Sequence, residues 1–310
     1  MSESTSYTPE EVAKILKISR FTVYEMIKRG DLAAYHIGRK VRVEAQDLDA
    51  YIHKSKGACP ARQPGALETD KPVAQPAGFI ICGQDTVLDI LTRHLEKVLP
   101  HVSVLRNYVG SMDGLLALYR GNANVATSHL WDSETDAYNV PYVRRLLPGH
   151  HAVIVNLVYR TAGFYVAKGN PKNINTWRDL TKTNLRLVNR ERGSGARVLL
   201  DEQLRKLNID FSLINGYANE ETSHLAVAST VARGEADVGV GIEKAALQVA
   251  NIDFIPLQKE RYDLVIRKED ESKPHFQALL SILKSTSFRD QISGMGGYDL
   301  THTGQVMGET

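Results

Sequence analysis

Five short stretches carry residues suited to chemistry: Gly83-Gln84-Asp85-Thr86, Gly110-Ser111-Met112, Thr127-Ser128-His129, Arg192-Gly193-Ser194-Gly195 and Glu221-Thr222-Ser223-His224. Each follows a run with a strand pattern and precedes a run with a helix pattern. The first turn of a helix has free backbone N–H groups and a partial positive charge, so it attracts anions. Glycine and serine let the backbone approach a ligand, and hydroxyls add donors. The candidate ligand-binding residues are Asp85, Thr86, Gly110, Ser111, Thr127, Ser128, His129, Arg192, Gly193, Ser194, Gly195, Arg197, Thr222, Ser223 and His224. Ser and Thr also cap helices that bind nothing, so any one of these loops alone means little. Five loops of one character in one region point to an anion site.

A second concentration of chemistry lies near the N-terminus. Thr8-Pro9-Glu10-Glu11 signals a helix start, with Thr8 as cap, Pro9 in the first helical position and Glu11 closing a capping box. Val12, Ile15 and Leu16 form its apolar face. Lys17-Ile18-Ser19 breaks the pattern, and a second helix follows from Arg20 to Lys28 with Val23, Met26 and Ile27 inward. Tyr35 to Val43 alternates around Gly38, as a hairpin does. Glu44 to His53 reads as a third helix, with Leu48, Tyr51 and Ile52 on one face. Two helices, a tight turn and a hairpin make a winged helix-turn-helix layout. The second helix then offers Arg20, Thr22, Glu25 and Lys28 outward, with Ser19 at its cap and Tyr24 at the rim of the core. Arg39, Lys40 and Arg42 sit at the hairpin. Cations supply salt-dependent affinity for phosphates, and polar side chains on a helix read base edges. The expected partner is double-stranded DNA, and the DNA-binding candidates are Ser19, Arg20, Thr22, Tyr24, Lys28, Arg39, Lys40 and Arg42. A small helical module for protein contacts is the plain alternative.

The elements that position these groups follow from the 310 residues as a whole. Residues 1–54 form the predicted DNA-binding domain. Residues 55–77, with four prolines and two glycines and no hydrophobic period, form a linker. Residues 78–310 alternate apolar runs with amphipathic ones, which predicts an α/β domain with largely parallel sheets. Its length allows two lobes. The net charge of +2 makes no case for nucleic acid by itself, so that case rests on the local segment.

Several chemistries find no support. His150-His151 and the group His129, Asp132, Glu134, Asp136 match no zinc or calcium spacing and read as surface loops. Arg192-Gly-Ser-Gly lacks the Lys-Ser/Thr ending of a phosphate-binding P-loop, and Ser194 lacks the G-x-S-x-G context of a nucleophile. Trp131 and Trp177 read as packing residues. Cys59 and Cys82 have no metal spacing and are expected to be free thiols. Neither a secretory signal nor a long apolar span is evident, so a cytoplasmic location and no membrane partner are expected.

The first segment resembles the excisionase-type helix-turn-helix family, related to the MerR DNA-binding head. The resemblance is carried by Val12-Ala13-Lys14-Ile15-Leu16, Thr22-Val23-Tyr24, Ile27-Lys28-Arg29-Gly30-Asp31-Leu32 and Ile37-Gly38-Arg39. It implies a winged module that binds DNA, commonly within a dimer. The third segment is similar to a periplasmic-binding-protein-like family often joined to such modules. Asn189 to Arg197, His129-Leu130, Tyr138-Asn139, Tyr142 to Gly149, Val227 to Ile242, Tyr262-Asp263-Leu264 and Gly296 to Asp299 carry that similarity. It implies a type II two-lobed α/β fold with ligand in the cleft, lobe I taking about 78–160 and 262–310 and lobe II about 161–261. It also implies a molybdate, tungstate or molybdenum-cofactor ligand. Binders of this kind use neutral donors, whose analogues here are Thr86, Ser111, Ser194 and Thr222 or Ser223. Arg192, Arg197 and His129 depart from that pattern and suggest a more charged or larger ligand, or braces for the loops.

The sequence therefore reads as a one-component, homodimeric transcriptional regulator that senses a small oxyanion, with no catalysis and no cofactor beyond that effector. Two alternatives are an enzyme of molybdenum-cofactor metabolism with a DNA-binding head and a DNA-binding scaffold whose lobes only dimerise.

Overall fold

A computed structural model describes residues 6–16, 19–29, 32–37, 40–56 and 78–310. The chain divides into two compact units, Met1–Lys71 and Pro72–Thr310.

The first unit runs β1 (Ser6–Tyr7), α1 (Pro9–Leu16), α2 (Arg20–Arg29), β2 (Tyr35–Ile37), β3 (Lys40–Glu44) and α3 (Ala45–Lys56). The capping box at α1 is formed: the Glu11 N–H donates to Thr8 Oγ1 at 3.2 Å and the Thr8 N–H to Glu11 Oε2 at 2.7 Å. Ser19 caps α2, its Oγ accepting from the Thr22 N–H at 3.1 Å. Strands β2 and β3 pair antiparallel from Tyr35 with Arg42 to Ile37 with Lys40, which makes the wing. The structure adds a strand that periodicity did not reveal, because β1 is only two residues long and pairs with β3. Val12, Ala13, Val23, Met26, Leu32, Val43 and Leu48 form the core. Val12 is inside as expected, but Ile15 is exposed and Ala13 is buried in its place. Replacing Thr8 with Ala is expected to lower the stability of this unit by about 1 kcal/mol, read as a shift of the thermal midpoint of the N-terminal transition.

The second unit begins with β4 (Phe79–Cys82), α4 (Val87–Val98), β5 (Val104–Asn107), α5 (Ser111–Tyr119) and β6 (Val125–Ser128). A small hairpin of β7 (Trp131–Asp132) and β8 (Ala137–Tyr138), then α6 (Val140–Leu146), lead into the long strand β9 (Ala152–Ala167). Next come β10 (Leu187–Arg190), α7 (Gly195–Lys206), β11 (Glu220–Glu221), α8 (His224–Ala232), β12 (Val238–Ile242) and α9 (Glu243–Ala246). A second long strand, β13 (Ile252–Arg267), precedes α10 (Pro274–Lys284), α11 (Thr286–Met295) and β14 (Val306–Glu309).

Its main sheet has the order β11-β10-β12-β9-β13-β6-β4-β5, with β14 also on β9. Parallel pairs lie at both ends, and the two 16-residue strands β9 and β13 run antiparallel through the middle. The sheet is thus mixed rather than largely parallel. The apolar runs His151 to Val158 and Phe164 to Ala167 belong to one strand, not two. They read as separate because Arg160 interrupts the apolar pattern in mid-strand.

One end of the long pair joins β6, β4 and β5; the other joins β12, β10 and β11. Two lobes result. In the first, α4, α10 and α11 pack Leu91, Leu95, Phe276, Leu283 and Phe288 onto Ile81, Val153 and Val155. On the opposite face α5 and α6 cover Ile154 and Val265 with Leu115, Leu118 and Val143. In the second, Leu200 and Leu204 of α7 cover Phe164, Leu187 and Val240, while Val227 and Val231 of α8 cover Tyr165 and Val188. A sheet covered on both faces needs no polar alternation, which explains the continuous apolar runs.

Candidate functional site

The lobes meet over a cavity of about 30 Å³ at the middle of the long strand pair. Its floor is made where β9 and β13 cross between lobes. Arg160 and Glu260 are directly opposed in the register, and both are almost fully buried. The Arg160 guanidinium bonds Glu260 through Nε at 2.6 Å and Asp85 through Nη1. It also lies 4.2 Å over the Tyr262 ring. Tyr262 and Asp263 flank a register shift in β13. Beneath it, the buried Asp263 carboxylate accepts from Asn139 at 2.7 Å, Asn156 at 3.0 Å and Arg261 at 2.7 Å. That network holds the shift in place and so aims Tyr262 at the cavity. The Tyr262 hydroxyl donates to Thr127 Oγ1 at 2.7 Å, because the Thr127 proton is committed to the Cys82 carbonyl at 3.0 Å.

Two helix N-termini close the cavity from opposite lobes. Gly110 precedes α5 and Ser194 caps α7. The Met112 N–H crosses to the Gly193 carbonyl at 3.0 Å. A Cβ on Gly110 would stand 3.1 Å from Ser194 Cα, and one on Gly195 would stand 2.4 Å from the His129 ring. Glycine is required at 195 for the lobes to meet as they do, and at Gly110 a side chain would press on the facing backbone. The backbone N–H groups of Ser111 and Gly195 have no partner among the described residues, as expected at a helix start. Ser111 Oγ accepts from the His129 N–H at 3.4 Å, which leaves its own proton free.

The side walls are Arg190, His129 and His224. Arg190 is buried and held by Glu191 at 2.6 Å, by Gln84 at 2.8 Å from the other lobe, and by the Thr222 carbonyl at 3.3 Å. His129 Nδ1 lies 2.9 Å from Glu260 Oε2, close enough for strong attraction, although the angle is poor for a directed hydrogen bond. Burial pushes His129 below the ordinary histidine range, with Arg160 adding to the shift and Glu260 opposing it. His224 is pushed further down by burial and by Arg190, Arg160 and His129. Part of its side chain reaches solvent at the cavity mouth, yet its Nδ1 is sealed and unpartnered. Burial would push Glu260 up, and the charges of Arg160 and of a protonated His129 hold it down instead. With His129 neutral, Arg160 is the partner that keeps Glu260 ionised.

Of the residues expected to bind ligand, Gly110, Ser111, Thr127, His129, Ser194, Gly195 and His224 line this cavity. Others do not. Arg192 points to solvent with 85% of its side chain exposed, 3.9 Å from Glu220. Arg197 is buried but tied to Asp201 at 3.1 Å and Glu220 at 3.0 Å, with its guanidinium over Tyr217, so it braces lobe II. Asp85 is saturated by Arg160, by the Tyr298 hydroxyl at 2.7 Å and by the Val87 N–H at 2.9 Å. Ser128 is fully buried away from the cavity, Gly193 supplies the carbonyl that meets Met112, and Thr222 is exposed and contributes only its carbonyl to Arg190. Thr86 and Ser223 face an adjoining pocket. The Thr127-Ser128-His129 loop opens no helix; it runs on into β7. His129 and Asp132 are buried, not on a surface loop.

Sequence reasoning missed Arg160, Arg190 and Tyr262 as lining residues. Arg160 left a readable signal: a lone guanidinium inside a 16-residue apolar strand must have a buried partner or a ligand.

On the N-terminal unit, Ser19, Arg20, Thr22 and Tyr24 are exposed on α2, and Arg20 leans on Glu10 at 3.2 Å. Arg42 is half-buried on β3. Lys28 and Lys40 lie on α2 and β3, but their side chains, like all of Arg39, are outside the described residues, as is Cys59. Cys82 is a buried free thiol pushed up to about 11 by burial.

This is a helix-turn-helix unit followed by a two-lobed α/β unit with a polar cavity between its lobes. The chain belongs to the PBP superfamily, whose domain pattern matches residues 92–284, and a helix-turn-helix domain pattern matches residues 6–56. It is 43% identical to the uncharacterized protein YvgK of Bacillus subtilis over the full length of both chains. Two solved structures show the fold of the second unit. One is an ABC-type phosphate transport receptor from Vibrio cholerae, 20% identical, TM-score 0.50, covering 72% of this chain and 99% of that one. The other is PhnD1 from Prochlorococcus marinus in complex with methylphosphonate, 17% identical, TM-score 0.51, covering 71% and 89%. A DNA-binding helix-turn-helix fused to a PBP-like ligand-binding domain fits a ligand-sensing regulator.

Replacing Arg160 with Met leaves Asp85 and Glu260 buried without a cation. The expected loss is about 3–5 kcal/mol of stability in the second unit, with loss of ligand binding at the cavity. Thermal unfolding and calorimetric titration check both, and an unchanged midpoint would show that the triad does not hold the strands together.

Proposed function

We propose that this protein is a one-component transcriptional regulator whose second unit senses a small tetrahedral oxyanion, of the molybdate, tungstate, phosphate or phosphonate class. The observation that carries the reading is the interlobe cavity itself: two helix N-termini, the Ser111 hydroxyl and two buried guanidiniums converge on a space of about 30 Å³. The guanidiniums are already matched by Asp85, Glu260 and Glu191. Attraction for an anion therefore comes from oriented N–H and O–H groups more than from net charge, which suits the neutral-donor pattern of molybdate binders. The bound phosphonate ligand named for PhnD1 is of the same shape class and supports the oxyanion reading.

The regulatory element is closure. The Met112 N–H on the Gly193 carbonyl, Arg190 on Gln84 and the Ser133 hydroxyl on Glu202 at 2.6 Å all span the lobes and would hold a closed form against one with the lobes parted. A ligand shifts the balance by its greater affinity for that form. In a homodimer the shift alters the presentation of two DNA-binding heads and hence operator affinity. The reading is of a binder without catalysis, because the His129–Glu260 pair is held by Arg160 rather than free to exchange a proton with a substrate.

The test is a calorimetric panel of molybdate, tungstate, sulfate, phosphate and methylphosphonate on the full chain, paired with binding to a DNA duplex selected from a random pool. At least one oxyanion is expected to bind and to change duplex affinity by threefold or more. Unchanged affinity at saturation would sink the sensing role. Arg20→Ala is expected to weaken the duplex and to flatten its salt dependence.

A proton linkage follows from the two histidines. Both are neutral in the empty site, facing Arg160, Arg190, Glu260 and Tyr262. A bound dianion favours their charged forms, so binding takes up protons. Affinity for sulfate or molybdate is expected to rise as pH falls from 8 to 6, by up to about tenfold per unit for each proton taken up. Without ligand the sign reverses for stability. The unfolded chain binds protons below the ordinary histidine value of 6.5 while the folded one resists, so the midpoint falls as pH drops below 6.5. Titrations in buffers of different ionisation enthalpy measure the uptake directly.

A further inference from the structure

The cavity does not end at its mouth. A second pocket of about 170 Å³ adjoins it, and Gln84 and His224 line both. It lies within the same unit, between the start of α4, the start of α8 and α9. Resting on the oxyanion reading above, we propose that the physiological ligand is an oxyanion carrying one neutral organic substituent, with the oxyanion in the inner cavity and the substituent in this second pocket.

Three observations carry the inference. The first is size: the outer space is several times the inner one, far more than a bare tetrahedral ion fills. The second is wall chemistry. Leu225, Ile242 and Ala245 offer apolar surface beside the hydroxyls of Thr86, Ser223 and Tyr298. Both charged groups in the wall are engaged by other partners. Asp85 is saturated by Arg160, Tyr298 and the Val87 N–H, and Lys244 Nζ bonds the carbonyls of Met295 and Gly296. The apolar surface and hydroxyls that remain favour a neutral, partly hydroxylated group. The third is the junction. Among the described residues Gln84, which lines both spaces, accepts from Arg190 while its own amide N–H groups bond nothing. A ligand oxygen or hydroxyl passing from one space to the other gives them an acceptor.

A bare oxyanion leaves the outer pocket unfilled; a phosphate monoester or a short phosphonate does not. The class is thus a monosubstituted tetrahedral oxyanion, R–O–PO3 or R–PO3, with R small, neutral and polar.

The experiment is calorimetry on the full chain with inorganic phosphate, methylphosphonate and glycerol 3-phosphate, repeated on Leu225→Trp and on Gln248→Trp. Both positions line only the outer pocket, and a bulky ring there occupies it. Glycerol 3-phosphate is expected to bind at least tenfold more tightly than inorganic phosphate, and either variant to bring that ratio close to one. Two results would overturn the proposal while leaving the oxyanion reading intact: phosphate binding as tightly as the ester, or a ratio unmoved in both variants. Binding of none of the three overturns both.

Discussion

A guanidinium in the middle of a sheet organises the second unit. Arg160 is taken almost wholly out of water, at an effective cost of several kcal/mol for the ion alone. It is tolerated because Glu260 faces it from the neighbouring strand and Asp85 reaches it from the loop ahead of α4. Those three residues come from three separate parts of the chain, and the one buried guanidinium is the cation that both buried carboxylates share. The arrangement therefore specifies one register of β9 on β13 and one position for the first loop. Everything else at the site is placed from there: Tyr262 under the guanidinium, His129 against Glu260, and Thr127 against Tyr262.

Matching these charges in advance has a functional consequence. A site with free cations would hold any anion that fitted. Here the cations are matched, so selectivity rests on the count and direction of N–H and O–H donors, on the glycine contacts that allow the lobes to touch, and on the two neutral histidines. The lobes are also joined away from the cavity, by Ser133 on Glu202, Arg205 on Glu134, Lys244 on the Met295 carbonyl and Lys259 on Asp299. A ligand in the cleft adds its own contacts to these.

Much of the architecture was legible. The capping box at Thr8 and the cap at Ser19 are local hydrogen-bond patterns, and local patterns survive folding unchanged. The loop signals at Gly110, Ser194 and His224 are of the same kind. Errors arose where long-range packing outranks local pattern. Arg192 and Arg197 sit in the loop and helix start most suggestive of an anion site, yet one faces solvent and the other is consumed by Asp201, Glu220 and Tyr217. Thr127-Ser128-His129 has the composition of a helix cap but ends a strand, because the chain continues into a hairpin whose buried Trp131 packs against lobe II residue Leu199.

The sequence by itself determined most of the helices and several of the short strands, though not β1 or the long β13, that the chain has a small head and a larger α/β part, and which loops carry small and hydroxylic residues. Those are properties of periodicity and of neighbours within a few positions. Only the tertiary structure decided that Arg160, Arg190 and Tyr262 complete the cavity, and that Asp85 belongs to its frame rather than its lining. The reason is that the relevant partners lie 75 to 100 positions apart in the chain and are joined by strand register across two lobes, which no local pattern encodes.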